Sequence, residues 1–356
     1  MKLCILANAA SVHTRRWAMH FSESGNEVTV LSLSKGEIPG VRVEQVGPDP
    51  CERGRLAYLI AVPRVRRAIR EIRPDIVHAH YAGGYGLVGA LANFHPLVIS
   101  AWGSDVLVIP RSEPVMKWII RKSMAQADLV TSVAAHMSNS IRALGVTRRI
   151  VTLPLGANLD VFRPRPEDAF EPSGLIVSTR SLEPVYNINL LIEALPKVLA
   201  EIPSARVLLI GDGSVRQQLE LRNCELGMKE RVTFTGRLTE GEVASHLSQA
   251  DVYVSTSLSD GNSVSLNEAM ACGAFPVVTD IAANSELVED GRNGFLVGTE
   301  DAAQLADKII AALRSPVLRR KAAAMNWQLV QQKGSLKVAM EQMETEYMTM
   351  LRTASS

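Results

Sequence analysis

The chain has 356 residues, 47% of them hydrophobic and 21% charged, and a formal net charge of +1. That length allows two α/β domains of roughly 150–200 residues each, and the composition is that of an ordinary globular protein. A generic phosphate-backbone binder would carry a basic excess, so no nucleic-acid partner is expected.

Residues 2–7 form a short apolar run ending in Asn8, Ala9, Ala10 and Ser11. The run is too short for a secretion signal and reads as a first strand, so no leader is expected. Strand-like runs follow at 27–33, 75–79, 97–101, 128–133 and 150–153, with helical patterns between them at, for example, 14–24 and 56–72. Continuous apolar strands alternating with helices predict a parallel sheet covered on both faces. The rhythm breaks over 154–174, where Pro154, Gly156, Pro164, Pro166, Pro172 and Gly174 give linker composition. It restarts at 175–179 and runs through 206–210, 231–235, 251–255 and 275–279, before a long helical stretch at 335–352. The expected fold is therefore α/β, with two Rossmann-like domains. The first spans 1–160 and is joined by the C-terminal helix 335–356; the second spans 170–334. Open parallel sheets bind ligands at the carboxyl ends of their strands, so two sheets facing each other would line one cleft.

Cys4, Cys51, Cys224 and Cys272 show no Cys-x-x-Cys spacing and no paired histidines. They read as reduced, mostly buried thiols of a cytoplasmic protein rather than as a zinc site or a disulfide framework. No stretch approaches the ~20 apolar residues of a membrane span, so a membrane would be met only from its surface.

The strongest chemical signal is Asp260 and Glu268, two carboxylates with seven residues between them around a loop that opens a helix. Gly261, Asn262 and Ser263 allow close backbone approach. A helix beginning near Ser263, with Val264 and Ser265, offers unpaired N–H groups and a positive dipole end that suit a pyrophosphate. Asp260 is placed to reach sugar hydroxyls and Glu268 ribose hydroxyls; the plain alternative is a helix cap and a solvated helix residue. In the first half, Ser11 follows a strand, and His13, Arg15 and Arg16 begin a helix where cations oppose the dipole, which points to an offsetting anion. His78 and His80 share one strand face. They lack a third ligand, so an acceptor-side role for His80 is favoured over a metal pair.

These segments resemble the retaining glycosyltransferases of family 4, which adopt the GT-B fold. The resemblance covers nearly the whole chain. It is carried by Asp75 to His80, Pro154 to Gly156 before Phe162, Leu190 to Ala194, Leu209 to Gly213, Phe234 to Gly236, Glu268 to Val278 and Glu286 to Phe295. It implies a nucleotide-sugar donor, expected to be a UDP-sugar, bound by the second domain, and an acceptor hydroxyl presented by the first. Asp260 then takes the place of the carboxylate that touches the donor sugar, and Glu268 that of the one on the ribose. Arg180 stands where the family has a pyrophosphate-binding arginine, with pairing to Glu183 as the plain alternative. Arg237 matches a position whose backbone touches the base.

Three departures are visible. The first carboxylate is Asp rather than Glu. The family's lysine place falls at Val185 or Tyr186, so Tyr186 and Asn187 become candidates for the phosphate. Trp102 replaces a histidine in the segment ending at Asp105, which makes Trp102 and Asp105, with His13 and His80, acceptor-side candidates. No aspartates are spaced Asp-x-Asp, so no metal and no other cofactor is expected, and the charge of the leaving group falls to Arg180, the helix at 263–272 and backbone amides. The implied role is assembly of a cell-surface polysaccharide, with an epimerase of the same fold or a non-catalytic sugar-nucleotide-binding homologue as rivals. Two segments suggest peripheral contact with an anionic membrane. One carries Arg64, Arg66, Arg67, Arg70 and Arg73. The other sets Val115, Met116, Trp118, Ile119 and Ile120 among Arg111, Lys117, Arg121 and Lys122. Apolar packing against the sheet, with solvated arginines, is the alternative.

Overall fold

A computed structural model describes residues 1–164 and 173–354, apart from the side chains of Arg111 and Ala354. Pro166 and Pro172 of the expected linker lie outside the described residues. The chain divides into two compact units, one of residues 1–154 completed from Val338 onward, the other Leu155–Lys337.

In the first unit the elements run β1 (Lys2–Leu6), α1 (Val12–Glu23), β2 (Glu27–Ser32), β3 (Arg42–Gln45), α2 (Pro50–Arg53), α3 (Leu56–Ile72), β4 (Ile76–His80) and α4 (Tyr85–Ala92). They continue with β5 (Leu97–Ala101), α5 (Ser104–Leu107), α6 (Ile109–Ser112), α7 (Pro114–Gln126), β6 (Leu129–Ser132), α8 (Ala135–Ala143) and β7 (Ile150–Thr152). The strands form one sheet in the order β3-β2-β1-β4-β5-β6-β7, every pairing parallel. Strands β4, β5 and β6 are buried along their whole length, as expected of a sheet covered on both faces. β3 escapes sequence reading because Arg42-Val-Glu-Gln is polar and only half-covered, as befits an edge.

The second unit repeats the plan. It contains β8 (Leu175–Ser178), a 3₁₀ turn (Pro184–Tyr186), α9 (Ile188–Glu201), β9 (Arg206–Ile210), α10 (Arg216–Glu225), β10 (Val232–Gly236), α11 (Glu240–Gln249) and β11 (Val252–Ser255). Then come α12 (Val264–Ala271), β12 (Phe275–Thr279), α13 (Ala282–Ser285), β13 (Phe295–Val297), α14 (Ala302–Arg314) and α15 (Pro316–Lys333), followed by α16 (Leu336–Ala354), which from Val338 on belongs to the first unit. Its sheet has the order β10-β9-β8-β11-β12-β13, again all parallel. The alternation of strand side chains divides its core. Ile176, Val252 and Val254 pack in one apolar cluster, while Val177 and Tyr253 pack in another.

A buried ion pair fastens the start of this sheet. Arg319 Nη2 donates to Asp251 Oδ1 (3.0 Å), both side chains being at most 2% exposed. Asp251 Oδ2 also accepts from the amides of Ser173 and Gly174, each at 2.7 Å. Arg319 Nη1 reaches the carbonyls of Ala312 and Leu313, so the pair is embedded in hydrogen bonds that offset much of its desolvation. Gly156, at φ +62°, lets residues 156–157 run against residues 334–336; an added Cβ would sit 2.4 Å from the Leu336 amide nitrogen.

Two expectations need correction. Of the apolar residues around α7, Met116 and Ile120 are buried, because positions four apart share the core-facing side of the helix, while Val115 and Trp118 are exposed at 71% and 60%. The cysteines are all free, but only Cys4 and Cys272 are buried; Cys51 and Cys224 are exposed.

Candidate functional site

In each sheet the order reverses once, between β1 and β4 in the first and between β8 and β11 in the second. Loops leaving neighbouring strands in opposite directions leave a crevice at such a point. Arg180 follows β8 and Asp260 follows β11, so the topology itself places them side by side. Arg180 Nη2 donates to Asp260 Oδ2 at 2.6 Å, and Nη1 donates to Ser263 Oγ at 3.0 Å and Ser265 Oγ at 2.7 Å. The guanidinium carbon lies 4.1 Å from the centre of the Tyr186 ring, a cation–π contact. The Arg180 and Asp260 side chains are 8% and 16% exposed. Among the described residues, Arg180 Nε is buried with no partner. A guanidinium is a planar fork of donors, and part of this one remains for an anion.

The loop after β8 is held in shape from below. Gly213 packs against the Leu182 carbonyl so closely that an added Cβ would lie 2.3 Å from the oxygen. Leu182 exchanges backbone bonds with Asp212 and Val215. Glu183 does not pair with Arg180. Its carboxylate accepts from the amide (2.9 Å) and hydroxyl (2.5 Å) of Ser214, and these bonds hold its pKa below the usual range. Asn187 caps α9 in a left-handed conformation, and its side-chain amide donates to the Thr299 carbonyl (3.1 Å). Asn187 is thus a staple, and the residue in the altered lysine place that meets Arg180 is Tyr186.

Ser263 is the N-cap of α12, its Oγ accepting from the Leu266 amide at 3.3 Å. The first-turn amides of a helix have no intrahelical partners and carry the positive end of its dipole. Gly261 and Asn262 lead into this turn, with Gly261 buried. Tyr253 donates from its hydroxyl to Ser265 Oγ (2.9 Å), which fixes the serine toward Arg180. Sequence reading missed Tyr253, which looks like any strand aromatic. Glu268 is buried at 8% exposure, three positions beyond Ser265 on the same helix face. Its charge, after burial itself, contributes to pushing the Cys272 thiol up to about 12, so that thiol is inert at neutral pH. Arg237, just beyond β10, has an exposed side chain that no described contact joins to this cluster.

In the first unit, the loop after β1 is closed on itself. The amide of Ala9 donates to Ser32 Oγ (3.1 Å), that of Ala10 to Asn8 Oδ1 (3.0 Å), and that of Ser11 to the Asn8 carbonyl (3.1 Å). Gly36 presses on this loop, with a Cβ there only 2.8 Å from Ala9 atoms. The amides of Ala9, Ala10 and Ser11 are therefore engaged within the protein. Ser11 keeps its candidacy through its hydroxyl. Arg15 reaches the Glu37 carbonyl at 3.2 Å.

His13 and His80 both pack against Trp102, His13 edge-on and His80 tilted. Trp102 lies 5.6 Å from His13 and 4.6 Å from His80, ring centre to ring centre. His80 is 1% exposed, and among the described residues neither of its ring nitrogens has a partner. Burial, then the charges of His78 and His13, keep its pKa well below the ordinary value, so the ring is neutral at physiological pH. His78 is bonded to the Tyr347 hydroxyl (2.5 Å) and Ser100 Oγ (2.6 Å), and burial lowers its pKa to about 3. Asp105 is not presented to a ligand. It is fully buried and accepts from the amides of Ala82 (2.9 Å), Trp102 (3.2 Å) and Gly103 (2.9 Å). It ties the loops after β4 and β5 together, which corrects its reading as an acceptor-side group.

Comparison with known proteins fits this geometry. Residues 163–326 match the family model "Glycosyl transferases group 1" and residues 2–134 match "Glycosyl transferase 4-like". The chain is 32% identical over 178 residues to the phosphatidyl-myo-inositol mannosyltransferase of Mycobacterium leprae, covering 49% of this chain and 47% of that protein. It therefore spans about half the length of that relative. It is 25% identical to the N-acetyl-alpha-D-glucosaminyl L-malate synthase of Bacillus anthracis, over 78% of this chain and 75% of that one. The Anabaena protein Alr3699/HepE, solved in complex with UDP-glucose, superposes with a TM-score of 0.82 at 20% identity, covering 98% of this chain and 100% of that one. The protein is a glycosyltransferase of the GT-B fold. Along it, the stretch that matches the glycosyl transferase 4-like model precedes the one that matches the group 1 model.

Proposed function

We propose that the protein is a retaining glycosyltransferase that moves a sugar from a UDP-sugar to a hydroxyl of a glycan or lipid-linked acceptor, in cell-surface polysaccharide assembly on the cytoplasmic side of a membrane. The observation that carries this reading is the buried guanidinium of Arg180, held by Asp260, Ser263 and Ser265 at the N-terminus of α12. A fixed cation and a helix dipole aimed at one point suit the charge that develops on a departing diphosphate. In this reading Asp260 accepts from a donor-sugar hydroxyl and Glu268 from the ribose. The bond from the anomeric carbon to the diphosphate oxygen breaks as the acceptor oxygen bonds to that carbon from the same face. The acceptor proton passes to the departing phosphate oxygen. Support for the donor comes from the UDP-glucose complex of the Anabaena protein, and for a lipid-linked acceptor from the name of the mycobacterial relative.

Charge stabilisation by Arg180 and α12 makes metal dispensable in this proposal. The test is turnover of a panel of UDP- and GDP-sugars, with and without candidate acceptors, in excess EDTA. Acceptor-dependent transfer with the anomeric configuration kept is expected. A strict need for Mg²⁺ or Mn²⁺, or donor turnover to an epimer without any acceptor, would overturn it.

A further inference from the structure

Arg180 is pinned along its edge by hydrogen bonds to Asp260, Ser263 and Ser265. Its partners are themselves held, Ser265 by the Tyr253 hydroxyl and Ser263 as the cap of α12. The N–H groups of a guanidinium lie in its own plane, so these contacts leave it free to rock across that plane. The Tyr186 ring closes this remaining direction. Its centre is 4.1 Å from the guanidinium carbon. An edge-on approach would interpose a nitrogen and hold the carbon farther off, so the ring lies against the face of the cation. With Arg180 only 8% exposed, the pair is desolvated, the condition under which a cation on an aromatic ring is held most firmly.

The ring is anchored through its backbone. The Tyr186 amide donates to the Glu183 carbonyl (2.9 Å), and the Tyr186 carbonyl accepts from the Thr256 hydroxyl (2.9 Å). One residue earlier, the Val185 carbonyl accepts from the Leu258 amide at 2.8 Å. Glu183 is fixed in turn by Ser214, and Asn187 by the Thr299 carbonyl. Thr256 and Leu258 lie between β11 and Asp260, so the ring and the carboxylate that grip Arg180 are tied to the same short loop. The Tyr186 hydroxyl, in contrast, has no hydrogen-bond partner among the described residues.

We infer that Tyr186 is a positioning residue for the donor: its ring, and not its hydroxyl, sets the tilt of the Arg180 guanidinium and so the direction in which the unpartnered Nε N–H points. It acts through Arg180 rather than on the phosphate, where the sequence alone put it. This role rests on the reading of Arg180 as the cation that meets the diphosphate.

Titration calorimetry of the full chain with UDP and with GDP reads this role without any acceptor. Arg180→Ala should weaken binding of the nucleotide that the wild type takes by at least ~10-fold. Tyr186→Leu, which keeps bulk but no ring, should weaken it about 3–10-fold. Tyr186→Phe, which keeps the ring and drops the hydroxyl, should bring affinity back to within about 2-fold of wild type. In the double variant, Tyr186→Leu should add less than about 2-fold to the loss caused by Arg180→Ala, because the ring then has no cation to hold. Circular dichroism should stay native in every variant. A loss in Tyr186→Phe as large as in Tyr186→Leu would overturn the role and give the hydroxyl a phosphate contact. So would losses that multiply in the double variant, since a residue that touches the nucleotide itself, or merely props the loop, does not act through Arg180. Wild-type affinity in Arg180→Ala, or no binding of either nucleotide by the wild type, would instead sink the donor-site reading, and this role with it.

Discussion

Asp260 faces two ways in this account, toward Arg180 and toward the donor sugar, and Asp260→Asn separates the two. The asparagine keeps an oxygen that can accept from Arg180 Nη2, so the 2.6 Å contact and the loop survive, but the negative charge goes. A bound UDP places about two negative charges near this carboxylate. At roughly 7 Å and an effective dielectric of about 60, each charge repels it by about 0.8 kcal/mol, or about 1–2 kcal/mol in all. Removing that repulsion should tighten UDP about 10-fold. The donor sugar, in contrast, loses a charged acceptor for its hydroxyl, a contact worth about 1.5–3 kcal/mol, so transfer should fall by at least ~10-fold. Titration calorimetry with UDP and steady-state kinetics with the UDP-sugar read the two effects independently. Tighter nucleotide binding with slower transfer is the expected signature. Unchanged or weaker UDP binding in a variant with native circular dichroism would refute the placement of Asp260 beside both Arg180 and the diphosphate.

Two further outcomes follow from groups outside the donor site. Asp251→Asn leaves the buried Arg319 without its counter-charge and should cost about 3–5 kcal/mol in urea unfolding; a loss below about 1 kcal/mol would show that the pair is not the fastening it looks to be. Burial depresses the pKa of His78 from 6.5 to about 3, so the unfolded chain binds a proton there that the folded one does not. His80 is depressed in the same direction. Their stabilisation is complete above about pH 6.5 and is lost as pH falls toward 3, by on the order of 5 kcal/mol for His78. Melting temperature should therefore drop steeply over that window, and His80→Phe, which removes two unpartnered nitrogens, should flatten the curve; an identical slope in the variant would count against it.

Much of the architecture was legible because it depends on apolar runs. The buried parallel strands announce themselves as Val-, Ile- and Leu-rich segments, and each expected strand lies within a residue or two of its place. β3 and β13 were not, being three or four residues long at sheet edges with weak burial contrast. The pairing of Arg180 with Asp260 could not be read from a separation of 80 residues; it follows from β8 and β11 being neighbours at a reversal of strand order. Glu183 was the nearer partner in sequence, yet the backbone carries it toward Ser214. Asp105 looked chemical because it follows a strand, and only its three amide donors reveal a loop anchor. Tyr253 was invisible because its role depends on the hydroxyl of an otherwise core aromatic.

The donor site is most directly tested by the kinetics of UDP-sugar turnover in Arg180→Ala and Glu268→Ala. Each removes one charged group from the part of the site assigned to diphosphate or ribose, where a charge-assisted contact is worth about 1.5–3 kcal/mol. Each should lower kcat/KM by at least ~10-fold while circular dichroism stays native. Wild-type kinetics in both folded variants would contradict the assignment of the donor to this site.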